Sequence, residues 1–190
     1  MLDMELIKFS EGKKIYLRPF EPEDLKLVYF GKNNVSVRET LYLYSPMTVD
    51  QVDEELQNWI NNRETVLFTI CQQSDNQSVG QTAFVRIDQV SRTAIFYIAI
   101  YDPNFWSKGY ATESTQLMIE YGFEILNLNR IQLHVSCEND HAIKAYKKVG
   151  FLIEGTLRQA MYHNNRYSDF YVMALLREDF YKWRNSETIL

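Results

Sequence analysis

Cysteine is scarce in this chain: there are two among 190 residues, Cys71 and Cys137, far apart and without the spacing of a redox pair or a metal site. Reduced, buried thiols are expected, and no metal. No apolar run approaches the roughly 18 residues that a membrane span needs, so no membrane partner is expected. The first residues, Met1-Leu2-Asp3-Met4-Glu5, are acidic where a signal peptide would be basic. The cytoplasm is the expected compartment. Positive charge is also in deficit: 20 Lys and Arg stand against 25 Asp and Glu, a formal net charge of −5. That disfavours a surface gripping phosphate backbones over a wide area, and nucleic acid is not an expected partner. A mild negative field suits a cationic substrate such as an amine. Repeats, linkers and low-complexity segments are missing as well, which leaves a single domain over residues 1–190.

What is present is an ordinary globular composition, 46% hydrophobic and 24% charged, with 13 Tyr that serve either packing or an aromatic-lined cleft. Ile15 to Arg18 alternates as a first strand before Pro19. Glu21-Pro22-Glu23-Asp24 starts a helix with Pro in its first turn and acids at its positive end, and Gly31 is the expected stop. Thr48 and Gln51 form a capping box ahead of a second helix, in which Val49, Val52, Leu56, Trp59 and Ile60 recur at helical spacing. The intervening residues 32–47, polar and then Tyr-rich, read as a substrate loop.

From Val66 the period becomes that of strands, with runs at residues 66–72, 79–87 and 93–101 joined by short links, an antiparallel meander. A helix over about residues 111–126 then leads to a strand at 131–136, which pairs parallel with the preceding strand because a helix connects them. Another helix spans 140–149 and stops at Gly150. A hairpin with an Asn164-Asn165 turn closes the chain.

Two segments carry chemistry. Trp106-Ser107-Lys108-Gly109-Tyr110-Ala111-Thr112-Glu113 lies between a strand and a helix: Gly109 lets the backbone turn, and the helix opens with amides that lack intrahelical partners and carry partial positive charge. A pyrophosphate fits such an end. The second segment is Asn139-Asp140-His141-Ala142-Ile143-Lys144-Ala145-Tyr146-Lys147-Lys148-Val149-Gly150-Phe151. With the element order, these two motifs resemble the GNAT superfamily of acetyl-CoA-dependent N-acetyltransferases, over nearly the whole chain. The fold implied is mixed α/β, a mostly antiparallel central sheet of about six to seven strands with about four flanking helices.

The resemblance implies acetyl-CoA as acetyl donor, without a metal. It implies that the amides from about Ser107 to Thr112, with Trp106, Lys108, Gly109, Tyr110 and Ala111, hold the pyrophosphate. The main chain of Ile98, Ala99 and Ile100 pairs with the pantetheine arm, admitted where two parallel strands splay. Asn139 and Ala142 also meet the arm, although Asn139 suits a helix cap equally well. Tyr146 matches the family's tyrosine near the thioester sulfur, and a phenol can protonate the leaving thiolate as general acid. Lys147 and Lys148 beside it read as solvent-facing charges.

The acceptor is a primary amine, on a small molecule or a peptide N-terminus, and its proton needs a base. His134 lies on the strand face opposite Ile131, Leu133 and Val135, and imidazole titrates near neutrality. Ordered water and Glu39 in the substrate loop are the alternatives. Tyr42 and Tyr44 could wall the cleft. Within the family the chain resembles bacterial spermidine/spermine and ribosomal-protein N-terminal acetyltransferases, with Trp106 favouring the second. Arg86 stands where the polyamine branch carries carboxylates, and would repel a polyamine unless it faces away. Attack through a Cys-acyl intermediate lacks an activating His in sequence. A silent acyl-CoA-binding sensor is the alternative of another class, and homodimerisation through the final elements is a further family expectation.

Overall fold

The computed structural model describes residues 6–187; residues 1–5, read above for a signal, lie outside it. The strands are β1 (Ser10–Glu11), β2 (Ile15–Arg18), β3 (Val66–Gln72), β4 (Ser78–Asp88), β5 (Thr93–Ile100), β6 (Arg130–Ser136), β7 (Leu152–His163) and β8 (Arg166–Leu176). The helices are α1 (Leu25–Asn33), α2 (Val35–Leu41), α3 (Val49–Ile60), α4 (Tyr110–Glu120), α5 (Asp140–Lys148) and α6 (Arg177–Glu187). All eight strands join one sheet in the order β1-β2-β3-β4-β5-β6-β8-β7, antiparallel except for β5 with β6.

The expected mixed sheet and its meander are present, and the described residues add three elements. β1 is only two residues long, too short to show a period. α2 occupies the expected substrate loop: Asn34 accepts the amide of Val37 at 3.3 Å to start it, but Val37 is its one buried residue, so it carries little apolar pattern. α6 docks through Phe180, 2% exposed, whose ring lies 5.2 Å from that of Phe123.

Two helix boundaries differ. α4 ends at Glu120, and Tyr121–Ile125 continue it as a wider π-helical turn, so the helix expected to about residue 126 is not one regular α-helix. α1 does not stop at Gly31 but runs on to Asn33. Gly31 is buried, and a Cβ there would overlap the Tyr101 ring and its Cβ. Its role is close approach, which in sequence looks the same as a helix stop. The Thr48 capping box is present, with Gln51 N to Thr48 Oγ1 at 3.3 Å and Thr48 N to Gln51 Oε1 at 2.9 Å. Asn164 and Asn165 make the hairpin turn at φ 49° and 62°.

The sheet separates two apolar clusters. On one face Phe84, Ala94, Phe96, Met118, Phe123, Ile131 and Leu133 pack with α4, α5 and α6; on the other, Ala99 and Tyr101 pack with Val28, Val37, Val52 and Leu56 of α1 to α3. β5 therefore presents alternate residues to both cores, as the pleat requires. The α1 end is fixed by charge: Arg18 holds buried Asp24 at 2.7 and 2.8 Å, and Asp24 also accepts from Thr69 Oγ1 at 2.8 Å and Glu21 N at 3.0 Å. Both oxygens of that carboxylate are engaged, Oδ2 by three donors and Oδ1 by one, and such added hydrogen bonds are what a buried pair needs to hold together.

Candidate active site

The site arises where the sheet comes apart. β5 and β6 pair over three residues only, Thr93↔Arg130, Ala94↔Ile131 and Ile95↔Gln132. Beyond Ile95 they diverge, while β6 stays paired with β8 as far as Ser136↔Phe170. Phe96 is the first β5 residue past the last pair, and the Tyr146 ring of α5 packs edge-on against it at 6.3 Å. The gap opens into a cavity of about 560 Å³, with walls from β5, β6 and α5 and one end at the start of α4.

The loop into α4 is shaped for close approach by a ligand. Ser107 at φ 59° and Gly109 at φ 86° are both left-handed and flank Lys108. Such a conformation is costly for Ser, and local strain of this kind clusters at binding sites. The first intrahelical bond runs from Glu113 N to Gly109 O at 3.0 Å, so the amides of Tyr110, Ala111 and Thr112 precede it. Trp106 spends its indole N–H on the Ile100 carbonyl, at 3.0 Å, and packs with the α1 to α3 cluster. A pantetheine arm laid along β5 would share that carbonyl with the indole, using its second lone pair.

Most of the expected residues meet in this cavity. Ile98, Ala99 and Ile100 line it from β5; Trp106, Ser107, Gly109, Tyr110, Ala111 and Thr112 line it from the loop; Asn139, Ala142 and Tyr146 line it from α5. His134 and Tyr42 line it too. Lys108 is not among the lining residues: its ammonium stands over the Phe105 ring at 4.8 Å. Glu39 is exposed on α2 and Tyr44 is 86% exposed, and neither reaches the cavity. Arg86 is exposed at φ 51° within a bulge of β4, also away from it.

Sequence reasoning missed the partners of Tyr42. Its hydroxyl meets Ser136 Oγ at 2.9 Å, and its ring packs against Phe170 at 4.9 Å and His163 at 5.3 Å. Those contacts tie the end of α2 across to β6 and the last hairpin, and no local signal in the sequence announces them.

Burial pushes the Tyr146 phenol well above its ordinary pKa, with the nearby Tyr97 adding to the rise. It therefore stays protonated through the neutral range and beyond. Tyr97, also on the cavity wall, is pushed up to about 12 by burial, while its bond to Tyr101 acts the other way and Glu55 raises it further. The two hydroxyls lie 3.2 Å apart, and Tyr101 donates to Gln81 Oε1 at 3.3 Å. His134 Nε2 lies 3.1 Å from Gln132 Nε2, an amide that can only donate, so this ring nitrogen accepts. No Asp or Glu stands among the described lining residues, and no group of three or more metal-ligating side chains occurs among the described residues. No described helix is long and apolar enough to cross a membrane.

The splayed parallel pair, the left-handed turn before a helix and the partly buried tyrosine define an acyltransferase type of site. Residues 14–152 match the model of the acetyltransferase (GNAT) domain, and the chain belongs to that family. It is 31% identical over 166 residues to the spermidine N(1)-acetyltransferase of Escherichia coli K12, covering 87% of this chain and 88% of that one. The spermidine N(1)-acetyltransferase of Vibrio cholerae is 28% identical over 169 residues, covering 89% and 96%. The crystal structure of the Vibrio cholerae spermidine N-acetyltransferase in complex with CoA and spermine superposes with a TM-score of 0.82 at 28% identity, over 90% of this chain and 99% of that one. The chain is an N-acetyltransferase of the GNAT type.

Asn139 has one function that the structure shows, the helix cap, and contact with the donor is the expected second. Its Oδ1 caps α5 by accepting Ala142 N at 3.1 Å, and an N-cap is worth about 1 kcal/mol. Asn139→Ala should lower unfolding free energy by about that amount in urea titration. Asn139→Asp keeps the cap but not the amide donor, so it should unfold like the parent while weakening the donor thioester several-fold.

Proposed function

We propose that this chain transfers the acetyl group of acetyl-CoA to a primary amine of a small molecule, by direct attack in a ternary complex. The observation that carries the reading is the single cavity that joins the diverged β5 and β6, the left-handed turn at Ser107 and Gly109, and the Tyr146 hydroxyl. Acetyl-CoA would supply the thioester. The amides of residues 107–112 would hold its diphosphate, and the β5 main chain at Ile98 and Ile100 its pantetheine arm; the expected third residue, Ala99, turns its main chain to β4 instead.

When the amine nitrogen forms its bond to the carbonyl carbon, the carbon–sulfur bond breaks and the electron pair stays on sulfur. Tyr146 donates its proton there. Burial raises the phenol, but a thiolate leaving into the same poorly solvated pocket is raised too, so the transfer is not as uphill as free-solution values imply. The amine's own proton passes to water or to His134, and the imidazole must first release Gln132 to take it at Nε2. Neither cysteine competes as nucleophile: burial pushes both thiols up, and neither lines the cavity.

Spermidine and spermine are the first acceptors we assign, supported by the family members named above. Arg86, whose charge would repel a polyamine, is exposed on the β4 bulge and does not line the cavity. A peptide N-terminus is the second reading, supported by the absence of carboxylates from the described lining. Homodimerisation is supported by β7, an edge strand with Leu152, Leu157 and Tyr162 exposed; gel filtration showing a single 22.6 kDa species would reject it.

The deciding experiment is thiol release from acetyl-CoA against a panel of polyamines, monoamines and peptides. Spermidine should give the highest kcat/KM, and a peptide preference would replace it with the second reading. Tyr146→Phe should lose most turnover with CoA affinity kept, and normal turnover would remove Tyr146 as the acid. Since its pKa is raised, its acid form is lost only above the ordinary phenol range of about 10. The parent rate should show no alkaline decline from this group between about pH 8 and 10.

A further inference from the structure

The turn between β1 and β2 reaches the start of α4 from the far end of the chain. Glu113, in the first turn of α4, accepts the backbone amide of Lys13, 100 positions away in sequence, and that of Lys14 with both oxygens at 3.1 Å. A carboxylate at this place usually answers its own helix's exposed amides. Here it faces outward to a separate segment, which leaves those amides to something else.

The contact is built into the sequence at Gly12, where a Cβ would overlap the Glu113 carboxylate. Gln73 fastens the turn from the other side, through Gln73 N to Lys14 O at 2.8 Å and Gln73 Nε2 to Gly12 O at 3.2 Å. Held this way, Lys14 puts its ammonium on the phosphate loop itself. Its Nζ donates to the Lys108 carbonyl at 3.0 Å, and lies 3.4 Å from where a Cβ on Gly109 would stand. That carbonyl takes one of three N–H donors.

The loop's own side chains do not supply this charge. Trp106 uses its one polar atom on Ile100 O, and the Lys108 ammonium is drawn over Phe105. Meanwhile Lys13, Lys14 and Lys108 are all exposed at this end of a chain whose net charge is −5, so positive charge is concentrated where the overall field opposes an anion.

We propose that Lys14 is a binding residue for the diphosphate of the acyl donor, and that Glu113 is the positioning residue that holds it over Gly109. The assignment rests on the reading of this loop as the acetyl-CoA site. Lys14 then completes with a point charge the anion site that the α4 amides begin.

Calorimetric titration with CoA, alongside turnover with acetyl-CoA and with S-acetylpantetheine, which has no phosphate, tests it. Lys14→Met should weaken CoA about tenfold, the loss of one charge-assisted hydrogen bond. It should leave kinetics with S-acetylpantetheine unchanged, and Lys14→Arg should recover most of the affinity. Dephospho-CoA, which keeps the diphosphate and lacks the 3′-phosphate, should show the same fold-loss. Glu113→Ala should also weaken CoA, and should speed hydrogen exchange at the Lys13 and Lys14 amides. Equal CoA affinity in Lys14→Met overturns the proposal, as does a loss that disappears with dephospho-CoA or persists with S-acetylpantetheine. A parent protein that binds no CoA overturns the acetyl-CoA reading of the loop and this inference with it.

Discussion

The whole site depends on a ladder that stops early. A parallel strand pair that runs to its end leaves no main-chain group for a ligand, whereas β5 and β6 pair at three positions and then separate. Separation is tolerated because β6 keeps its full antiparallel ladder to β8 and β5 keeps its own to β4. Each diverging strand is thus held on its outer side, and only the facing edges are left without a strand partner. Buried backbone groups need hydrogen bonds, so an opened edge in an apolar setting calls for an extended, amide-bearing partner. α5 lays Tyr146 against Phe96 where the gap begins, so the placement of the proposed acid follows the shape of the cleft.

The second constraint is the low polarity of the inner wall of that cleft. Tyr97 and Tyr146 on the inner wall, and Tyr101 behind it, are all raised by burial, so that wall disfavours a charge that has no partner. A neutral phenol fits such a place, and a free carboxylate does not. An amine bound there is likewise driven toward its neutral, nucleophilic form, because desolvation lowers the pKa of an ammonium. Positive charge is instead gathered at the open end around the exposed Lys13, Lys14 and Lys108, where the proposed donor site would meet solvent.

Much of this was legible in the sequence because it is local. Alternation marked β3, β4 and β5 nearly to the residue; Thr48 with Gln51 marked the start of α3, and Asn164-Asn165 the last turn. The donor loop and α5 were legible because their residues are contiguous and their spacing is chemically particular. What sequence could not show depends on tertiary approach. Gly31 has the appearance of a helix stop and is instead the seat of the Tyr101 ring. α2 shows almost no period because Val37 alone is buried, so a helix was read as a loop. Glu39, Tyr44 and Arg86 are chemically plausible site residues whose direction is set by the helix end and the β4 bulge that carry them. Lys14 and Glu113 meet because the Gly12 turn comes against the start of α4, from nearly a hundred residues away in sequence.

The central claim is that the opened edge of β5 and the turn before α4 act as one donor site. Amide hydrogen exchange with and without acetyl-CoA tests it most directly. The account predicts that exchange slows together at Ile98, Ile100 and at residues 107–112, while β3 amides are unaffected; the Ala99 amide faces β4 and should not change. Protection confined to the loop, with the β5 edge exchanging as before, would contradict it.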